Sequence, residues 1–430
     1  MDLSTVPFAS ARSPPTLHVH RCRSGSCPMK IQTLCIVALL ALSTRTAAQE
    51  SPPRLILQGL EGKTRVLFLE GLSLTDPREE GAWSIRTEGF AHRPENARAG
   101  RKVRVTLHGG EELRGRLVGG KGEVLRIELL GGVRLPLEVD LIRSIVLPEH
   151  LSDRLLAPLD APAEGDRLYR RTEADLDAVD GTLEAFSDDG VRFESIEVGL
   201  KTFPWKDLAA LFIESLGDEG GGQTEARVPV VVDLADRSRL RGALRRMSAT
   251  HCELTVGGHE LALPWDVVAE ITVADGRYQF LSDFRPVSEE GRGVPFGDDL
   301  GMSWPHRMDA NAFDGGVLRS NGRTWRRGIG MHAPSRLSFA LDGKSGELVG
   351  FCAIDDEALK NPQRARGAVI FRLHLDGEVA WESGIIRGGD EPVALPRLKL
   401  GGKKQLVLEA DSAGSHAGDR ANWLRMVLVR

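Results

Sequence analysis

The 430-residue chain has few cysteines. Of its 5 cysteines, Cys22, Cys27 and Cys35 precede residue 49, so only Cys252 and Cys352 follow. Two cysteines cannot build a disulfide framework or an all-cysteine zinc site. Both lie in strand-like segments, and we expect two buried free thiols. The formal net charge of −5 comes from interspersed signs, which excludes a basic footprint for nucleic acid.

The chain also lacks the short motifs of several enzyme classes. It contains no His-Glu-x-x-His, no Gly-x-Ser-x-Gly and no phosphate-binding loop. A glycosidase needs only two well-placed carboxylates, but the chain outside its recognisable parts is too short for a large catalytic barrel. We therefore expect a protein that is not an enzyme, with a divergent hydrolase or hydrolase accessory as the third alternative.

Long hydrophobic runs are missing as well. The apolar run from Leu34 to Leu42 is too short for a membrane span, which needs about 20 residues. Met29 and Lys30 precede it, and small residues up to Ala48 follow, which is typical of a secretory signal peptide. We expect residues 1–48 to be a leader, with Met29 as the alternative start and no membrane span after cleavage. The mature protein is then secreted, periplasmic or part of the cell envelope, and an uncleaved anchor is the alternative.

Strand patterns dominate from residue 101 onward. Five short strands over 101–150 are followed by a similar, weaker series over 163–216 and a third over 227–274. The spans from a hairpin glycine to a proline are alike at 21, 23 and 22 residues: Gly115 to Pro136, Gly181 to Pro204 and Gly242 to Pro264. Such spacing indicates internal repetition.

We name these three ranges the first, second and third units. A five-strand sheet of this size leaves two open edges, so we expect each unit to close into a small SH3-like or Sm-like β-barrel. These units are candidate surfaces for a protein partner. Residues 49–100 stay unassigned and partly β, and the Gly-rich residues 217–226 are expected to be a linker.

From residue 277 the pattern changes, and a set of motifs runs in order to the C-terminus. They are Phe280-Leu281-Ser282-Asp283, Gly328-Ile329-Gly330-Met331-His332-Ala333-Pro334-Ser335, Ala353-Ile354-Asp355-Asp356-Glu357, Leu375-Asp376-Gly377-Glu378-Val379-Ala380-Trp381 and Asp419-Arg420-Ala421-Asn422-Trp423. In this order they resemble the NPCBM family of carbohydrate-binding modules, which are also attached to glycoside hydrolases of family 98. The resemblance covers 277–430. The last motif departs from it, because Arg420 stands for the family's usual His and Asn422 for its usual Asp.

The resemblance implies a galactose-binding-like β-sandwich, a jelly roll. The expected fold is therefore all-β, with about three small barrels followed by this sandwich. The family often carries a structural calcium, for which Asp355, Asp356 and Glu357 are candidate oxygen ligands. The alternative is an acidic turn that is solvated or caps the backbone. No other cofactor is expected.

Sugar binding needs a flat apolar ring face and a few polar groups that fix hydroxyls. The candidates within 277–430 are Trp304, His306, His332, Asp355, Asp356 and Trp423. Trp304 is favoured for stacking because it lies in a loop rich in Gly, Asp and Pro. Trp423 lies in an alternating strand and His332 follows Gly330, so both have a structural interpretation too.

The first functional hypothesis is an exported protein that binds galactose-type or other extracellular and cell-envelope glycans through the C-terminal module. The second is a structural or protein-interaction scaffold whose sandwich has lost sugar binding. Fold resemblance does not decide between them, because binding is determined by the loops.

Overall fold

The fold is seen in a computed structural model that describes residues 52–90, 100–151, 159–172, 175–197, 199–214, 227–293, 303–344, 346–360, 366–414 and 416–430. The chain from Pro52 to Arg430 forms one compact unit. The predicted leader at 1–48 and the predicted linker at 217–226 lie outside the described residues.

The part of the chain before residue 274 consists of antiparallel strands in four groups. Residues 54–88, here the N-terminal segment, contain β1 (Arg54–Gln58), β2 (Thr64–Phe68), β3 (Ser73–Leu74) and β4 (Ser84–Glu88). The first unit contains β5 (Lys102–Leu107), β6 (Glu112–Lys121), β7 (Val124–Leu129), β8 (Arg134–Glu138) and β9 (Ile142–Val146). The second contains β10 (Asp166–Arg171), β11 (Leu176–Phe186), β12 (Gly190–Ser195), β13 (Gly199–Pro204) and β14 (Leu208–Phe212). The third contains β15 (Pro229–Leu234), β16 (Arg239–Ser248), β17 (His251–Val256), β18 (His259–Pro264) and β19 (Val268–Val273).

The three units have the same strand order. In each, the first strand pairs with the second and the fifth, and the third and fourth strands follow outward. The second and third units each have a buried tryptophan directly after the unit's proline. Trp205 donates through Nε1 to the Ser187 carbonyl at 3.1 Å, and Trp265 donates in the same way to the Ser248 carbonyl at 2.9 Å. In the described ladders no pairing joins the fourth strand to the fifth, so barrel closure of the SH3-like kind stays a prediction.

Fifth strands join the groups into two large sheets. β9 pairs with β14, which merges the first and second units into a 10-stranded sheet. β19 pairs with β4 in the same antiparallel way, so the N-terminal segment extends the third unit into a 9-stranded sheet. One continuous hydrophobic core contains side chains from all four groups, among them Leu55, Val105, Phe193 and Leu254.

Residues 278–429 fold as a β-sandwich. Its strands are β20 (Tyr278–Phe280), β21 (Ser288–Glu290), β22 (Arg307–Met308), β23 (Leu318–Ser320), β24 (Arg323–Trp325), β25 (Gly328–His332), β26 (Ser335–Ala340), β27 (Glu347–Ile354), β28 (Ala368–Leu375), β29 (Glu378–Arg387), β30 (Val393–Ala394), β31 (Leu398–Lys399), β32 (Gln405–Ser412) and β33 (Arg420–Val429). One sheet has seven strands around β33 and the other has the order β21-β26-β32-β28-β29. Alternating side chains of both sheets form the core between them, including Leu348, Phe371, Leu408 and Trp423.

The all-β fold class and the C-terminal sandwich are thus confirmed. The helices of the described residues are short 3-10 helices: Pro77–Glu80, Leu130–Gly132, Val139–Leu141, Pro148–His150, Trp205–Asp207, Leu281–Asp283 and Asp356–Leu359. In this described part, no helix has the length and apolar character needed to cross a membrane. Cys252 and Cys352 are free and buried, as expected, and burial raises the pKa of both thiols.

Candidate functional site

Trp304 stacks on His332 at one end of the sandwich. The backbone N–H of Trp304 donates to the Arg292 carbonyl at 3.0 Å, which anchors the loop that carries the indole. The two ring centroids are 4.8 Å apart and the ring planes differ by 21°. Trp304 is half-buried, whereas His332 at the end of β25 is buried. The indole is therefore held on one face and remains partly accessible.

The His332 ring is fixed in one tautomer. Its Nδ1 lies 2.9 Å from the Ala333 carbonyl oxygen, and because a carbonyl can only accept, Nδ1 must carry the proton. Burial lowers the pKa of His332, and repulsion from Arg420 and His416 lowers it further. Gly293 leaves room for the ring, since a Cβ there would lie 2.7 Å from Nδ1. The imidazole is thus neutral near pH 7 and rigidly packed.

Glu289 on β21 ties the next candidate, His306, to the sandwich. One carboxylate oxygen accepts the backbone N–H of His306 at 2.5 Å and lies 2.9 Å from its Nδ1. The other oxygen accepts from Nε of Arg292 at 3.1 Å. Partial burial acts to raise the pKa of Glu289, but the hydrogen bonds from His306 outweigh it and the pKa is lowered. Trp304 and His306 are therefore carried by one anchored segment.

A cation–π pair, formed by Arg420 and Phe313, adjoins the stack. Arg420 begins β33 and is in register with His332 of β25. Its guanidinium carbon is 3.8 Å from the centroid of Phe313, and the guanidinium also pairs with Glu357. Phe313 is 40% exposed, which is unusual for a large apolar side chain. We name Trp304, His306, Phe313, His332 and Arg420 the aromatic cluster.

The loop that carries Phe313 is built around Asn311. The Asn311 side-chain oxygen accepts the backbone N–H groups of Phe313 at 3.1 Å and Asp314 at 3.0 Å, and the backbone N–H of Asn311 donates to the Gly316 carbonyl at 2.9 Å. Asn311 is buried, with 4% of its surface exposed. The Asn311 side chain therefore accepts the backbone N–H groups of a tight turn, and Phe313 projects from that turn.

The aromatic cluster combines the groups that sugar recognition needs. The accessible faces of Trp304 and Phe313 offer flat apolar surface for the C–H groups of a sugar ring. The Arg420 guanidinium supplies hydrogen-bond donors, while the carboxylates of Glu289 and Glu357 hold the arginine and histidine side chains of the cluster in place. The arrangement is suited to binding a neutral polar ligand with an apolar face.

The other predicted sugar ligands are buried or hydrogen-bonded within the sandwich. Trp423 is fully buried, and its ring packs edge-to-face on Phe371 with centroids 5.1 Å apart. Asp355 is 1% exposed, and it accepts from the Arg319 N–H at 3.0 Å and the Asn422 side chain at 2.7 Å. Asp356 accepts from the backbone of the β23–β24 turn. These three side chains stabilise the sandwich and do not reach the cluster surface.

The acidic run at 355–357 does not fit a calcium ion. The oxygens of Asp355 and Asp356 already accept from backbone and side-chain N–H groups, and Glu357 pairs with the Arg420 guanidinium. A calcium ion needs 6 to 8 oxygen ligands that are free to turn toward it. In the described part of the chain, no group of three or more acidic, His or Cys side chains is arranged to hold a metal.

Phe313 and Glu289 were not among the sequence candidates, and Arg420 was noticed only as a departure from the family pattern. The segment Asn311 to Gly316 carries the usual turn residues around one phenylalanine. An aromatic residue at the tip of such a turn is a signal for exposure, and it would have pointed to Phe313.

A cavity of about 300 Å³ lies in a different part of the chain. It is lined by the β5–β6 hairpin, including Lys102, Arg104, Arg114 and Arg116, and by the turn after β7. It shares no residue with the aromatic cluster.

Comparison with known proteins agrees with the resemblance seen in the sequence. Residues 277–429 match the family model described as the NPCBM/NEW2 domain. In sequence, 122 residues are 32% identical to α-1,3-galactosidase B of Akkermansia muciniphila. This match covers 27% of the chain but only 14% of that galactosidase.

Two solved structures illustrate the structural similarity. One is the CBM51 from Clostridium perfringens GH95 in complex with methyl-galactose, with 22% identity and a TM-score of 0.30 over 35% of this chain and 99% of that one. The other contains the tandem CBM51 modules of the family 98 glycoside hydrolase from Streptococcus pneumoniae, with 12% identity and a TM-score of 0.28 over 61% of this chain and 88% of that one.

Proposed function

We propose that this chain, whose residues 277–429 match the NPCBM/NEW2 domain, binds carbohydrate through the aromatic cluster of its sandwich. The match to a family of carbohydrate-binding modules is the main support. The location is supported by the exposed ring of Phe313, which lies against the Arg420 guanidinium, and by the half-buried ring of Trp304, which stacks on His332. Asp355, Asp356 and Trp423 are not included, because hydrogen bonds or core packing occupy them.

The ligand that we propose is a terminal galactose-type residue of an extracellular or cell-envelope glycan. Support comes from the sequence relative, whose name is that of a galactosidase. A galactose ring has an apolar face of C–H groups opposite its axial hydroxyl, and this face suits an indole or phenyl ring. Contact with Arg420 would then select the hydroxyl pattern.

We further propose that the protein is exported and acts without catalysis. The apolar run after Met29-Lys30 and the small residues up to Ala48 support export. N-terminal sequencing of the exported protein tests this part, and the expected first residue is Gln49. A mature chain that retains residues 29–48 would contradict cleavage.

A glycan array with the full chain tests the binding proposal. We expect retention of galactose-terminated glycans, and we expect Phe313→Ala and Trp304→Ala to lose at least about tenfold in affinity, because each removes a stacking face. Phe68→Ala is the matched control, since Phe68 is also exposed, at 59%, but lies on β2 of the N-terminal segment. Equal losses in all three variants, or none, would contradict the site.

The competing function is a scaffold that binds a protein partner through the three units. It gains support if the folded wild-type chain retains no glycan on the array. Calcium addition and chelation belong in the same screen, and we expect no effect of either, because the carboxylates at 355–357 hold protein donors.

A further inference from the structure

The loop that carries Phe313 is held from outside the sandwich. Arg237 lies at the tip of the β15–β16 turn of the third unit. Its Nη1 donates to the Gly315 carbonyl at 3.1 Å, and its Nη2 donates to the Asp309 carbonyl at 3.3 Å. One guanidinium therefore joins the two ends of the loop 309–316, and Phe313 lies between them.

A neighbouring arginine of the same unit fixes the start of the loop. Arg239 on β16 donates to the Asp309 carboxylate at 2.8 Å, and Arg327 of the sandwich donates to the same oxygen at 2.9 Å. Asp309 has a backbone φ of +53°, a left-handed conformation that costs energy in residues other than glycine. The contacts from the third unit help to keep this conformation.

From the loop, the contacts continue to the ligand surface. Asn311 orders the turn, Phe313 projects from it, and the Phe313 ring meets Arg420. Gly330 of β25 lets the loop lie close to the strand that ends in His332, because a Cβ there would overlap Ala310 and Asn311. The third unit thus reaches the aromatic cluster through a single short loop.

We propose that Arg237 is a positioning residue for the glycan site, so that the third unit contributes to the affinity of the sandwich. This inference rests on the proposed function. It assigns a role to a repeat unit that contains no part of the sugar-binding surface. Arg237 orders the loop before a ligand arrives, which reduces the entropy lost on binding.

Arginine suits this role better than lysine. Its planar fork directs two N–H groups to two carbonyl oxygens at once, whereas a lysine ammonium lies at one point. The Arg237→Lys variant should therefore hold only one end of the loop, and the Arg237→Ala variant should hold neither end. The matched control is Arg241→Ala on β16, because the hydrogen-bond partner of the Arg241 side chain is Glu111 of the first unit.

Hydrogen exchange of the full chain without ligand is the first test. For Arg237→Ala we expect the amides of Phe313, Asp314 and Gly316 to exchange at least about fivefold faster, while the amides of β25 and β33 and the melting temperature stay close to wild type. Arg237→Lys should give an intermediate rate, and Arg241→Ala the wild-type rate. Unchanged exchange in Arg237→Ala would overturn the inference.

Affinity for the galactoside that wild type retains most strongly is the second test. We expect Arg237→Ala to weaken binding about 5- to 10-fold, within the usual range of coupling between sites, with Arg237→Lys in between. Faster loop exchange with unchanged affinity would overturn the role in binding. A wild-type chain that binds no glycan would overturn the proposed function instead, and the exchange rates would still show whether Arg237 orders the loop.

Discussion

His332 illustrates how one buried side chain links packing to pH. It lies under Trp304, its Nδ1–H donates to the Ala333 carbonyl, and burial lowers its pKa from the ordinary 6.5. In the unfolded chain the same ring takes up a proton near pH 6.5. Stability from this residue is therefore fully present above pH 6.5 and is lost as the pH falls toward the lower pKa of the folded state.

We expect His332→Asn to reduce this pH dependence. The Asn side-chain NH2 can replace Nδ1–H as donor to Ala333, but it gives no ring stack and takes up no proton. At pH 7.5 the variant should be less stable by about 0.5–1.5 kcal/mol, the usual contribution of a ring pair. The difference should shrink at pH 5.5. Urea unfolding at both values measures it, with His259→Asn in the third unit as control, and a constant difference would contradict the pKa argument.

At the residue scale, the sequence names both rings of the Trp304–His332 stack as candidates but does not predict that they pack on each other. Trp304 was favoured because of its loop composition, and the structure places it next to His306 and His332. Phe313 was missed because its exposure depends on Asn311 and on the distant Arg420, which no local pattern connects. Trp423 is conspicuous in the sequence, yet its ring is needed in the core.

At the level of strands, one glycine recurs in the second strand of every unit. Gly115, Gly181 and Gly242 lie in register with the first strands at Val103, Asp166 and Val230. None of them has a left-handed φ. A Cβ on Gly115 would lie 2.5 Å from the Glu128 carbonyl oxygen. A Cβ on Gly181 would clash in the same way with the Glu194 carbonyl oxygen, and one on Gly242 with the Thr255 carbonyl oxygen. The third strand crosses so closely that only glycine fits.

Gly242→Ala should therefore destabilise the chain through overpacking. The added methyl group meets a backbone carbonyl that cannot move without breaking the β16–β17 ladder. We expect a loss of about 1–3 kcal/mol in the free energy of unfolding. Gly401→Ala is the control, since a Cβ there has nothing within 4 Å and the residue is exposed, and it should change stability by less than about 0.5 kcal/mol. Equal effects would contradict the packing explanation.

The series of five strands in each unit could be recognised in the sequence because it depends on local spacing. The spans from glycine to proline correspond to the second, third and fourth strands of each unit, and all three units share one order. The sequence leaves the N-terminal segment unassigned because β1 and β2 are short and β2 is mostly exposed. Both features weaken the alternation of apolar and polar residues that indicates a strand. Its place beside β19 depends on pairing over almost 200 residues of sequence, and local patterns do not contain that information.

Over the whole molecule, the sandwich is attached to the rest of the chain by buried charges. Arg425 of β33 is buried and makes two hydrogen bonds, at 2.8 and 2.7 Å, to Glu270 of β19. The same guanidinium reaches Tyr278 at 3.0 Å and Ser84 of the N-terminal segment at 3.2 Å. Burial alone would lower the pKa of Arg425, but attraction to Glu270 more than offsets this, so the pKa is raised and the guanidinium keeps its charge.

This attachment was not foreseeable from the sequence. The chain contains 56 basic and 61 acidic residues, and almost all such residues are exposed in ordinary proteins. Nothing local distinguishes Arg425 within Trp423–Val429 or Glu270 within β19 as buried partners. A charged residue in a strand usually faces solvent, and only the docking of two separately predicted parts explains why both are buried.

Arg425→Met should destabilise the whole compact unit, because it leaves the Glu270 carboxylate buried without its cation. We expect a loss of about 3–5 kcal/mol in the free energy of unfolding, measured by urea denaturation followed by tryptophan fluorescence. Arg54→Met is the control, since Arg54 pairs with Glu88 and these side chains are 31% and 50% exposed, and it should cost less than about 1 kcal/mol. In Glu270→Gln/Arg425→Met the loss should be smaller than the sum of the two single losses, because no unpaired charge remains. If Arg425→Met cost no more than Arg54→Met, the buried pair would not hold the sandwich to the units.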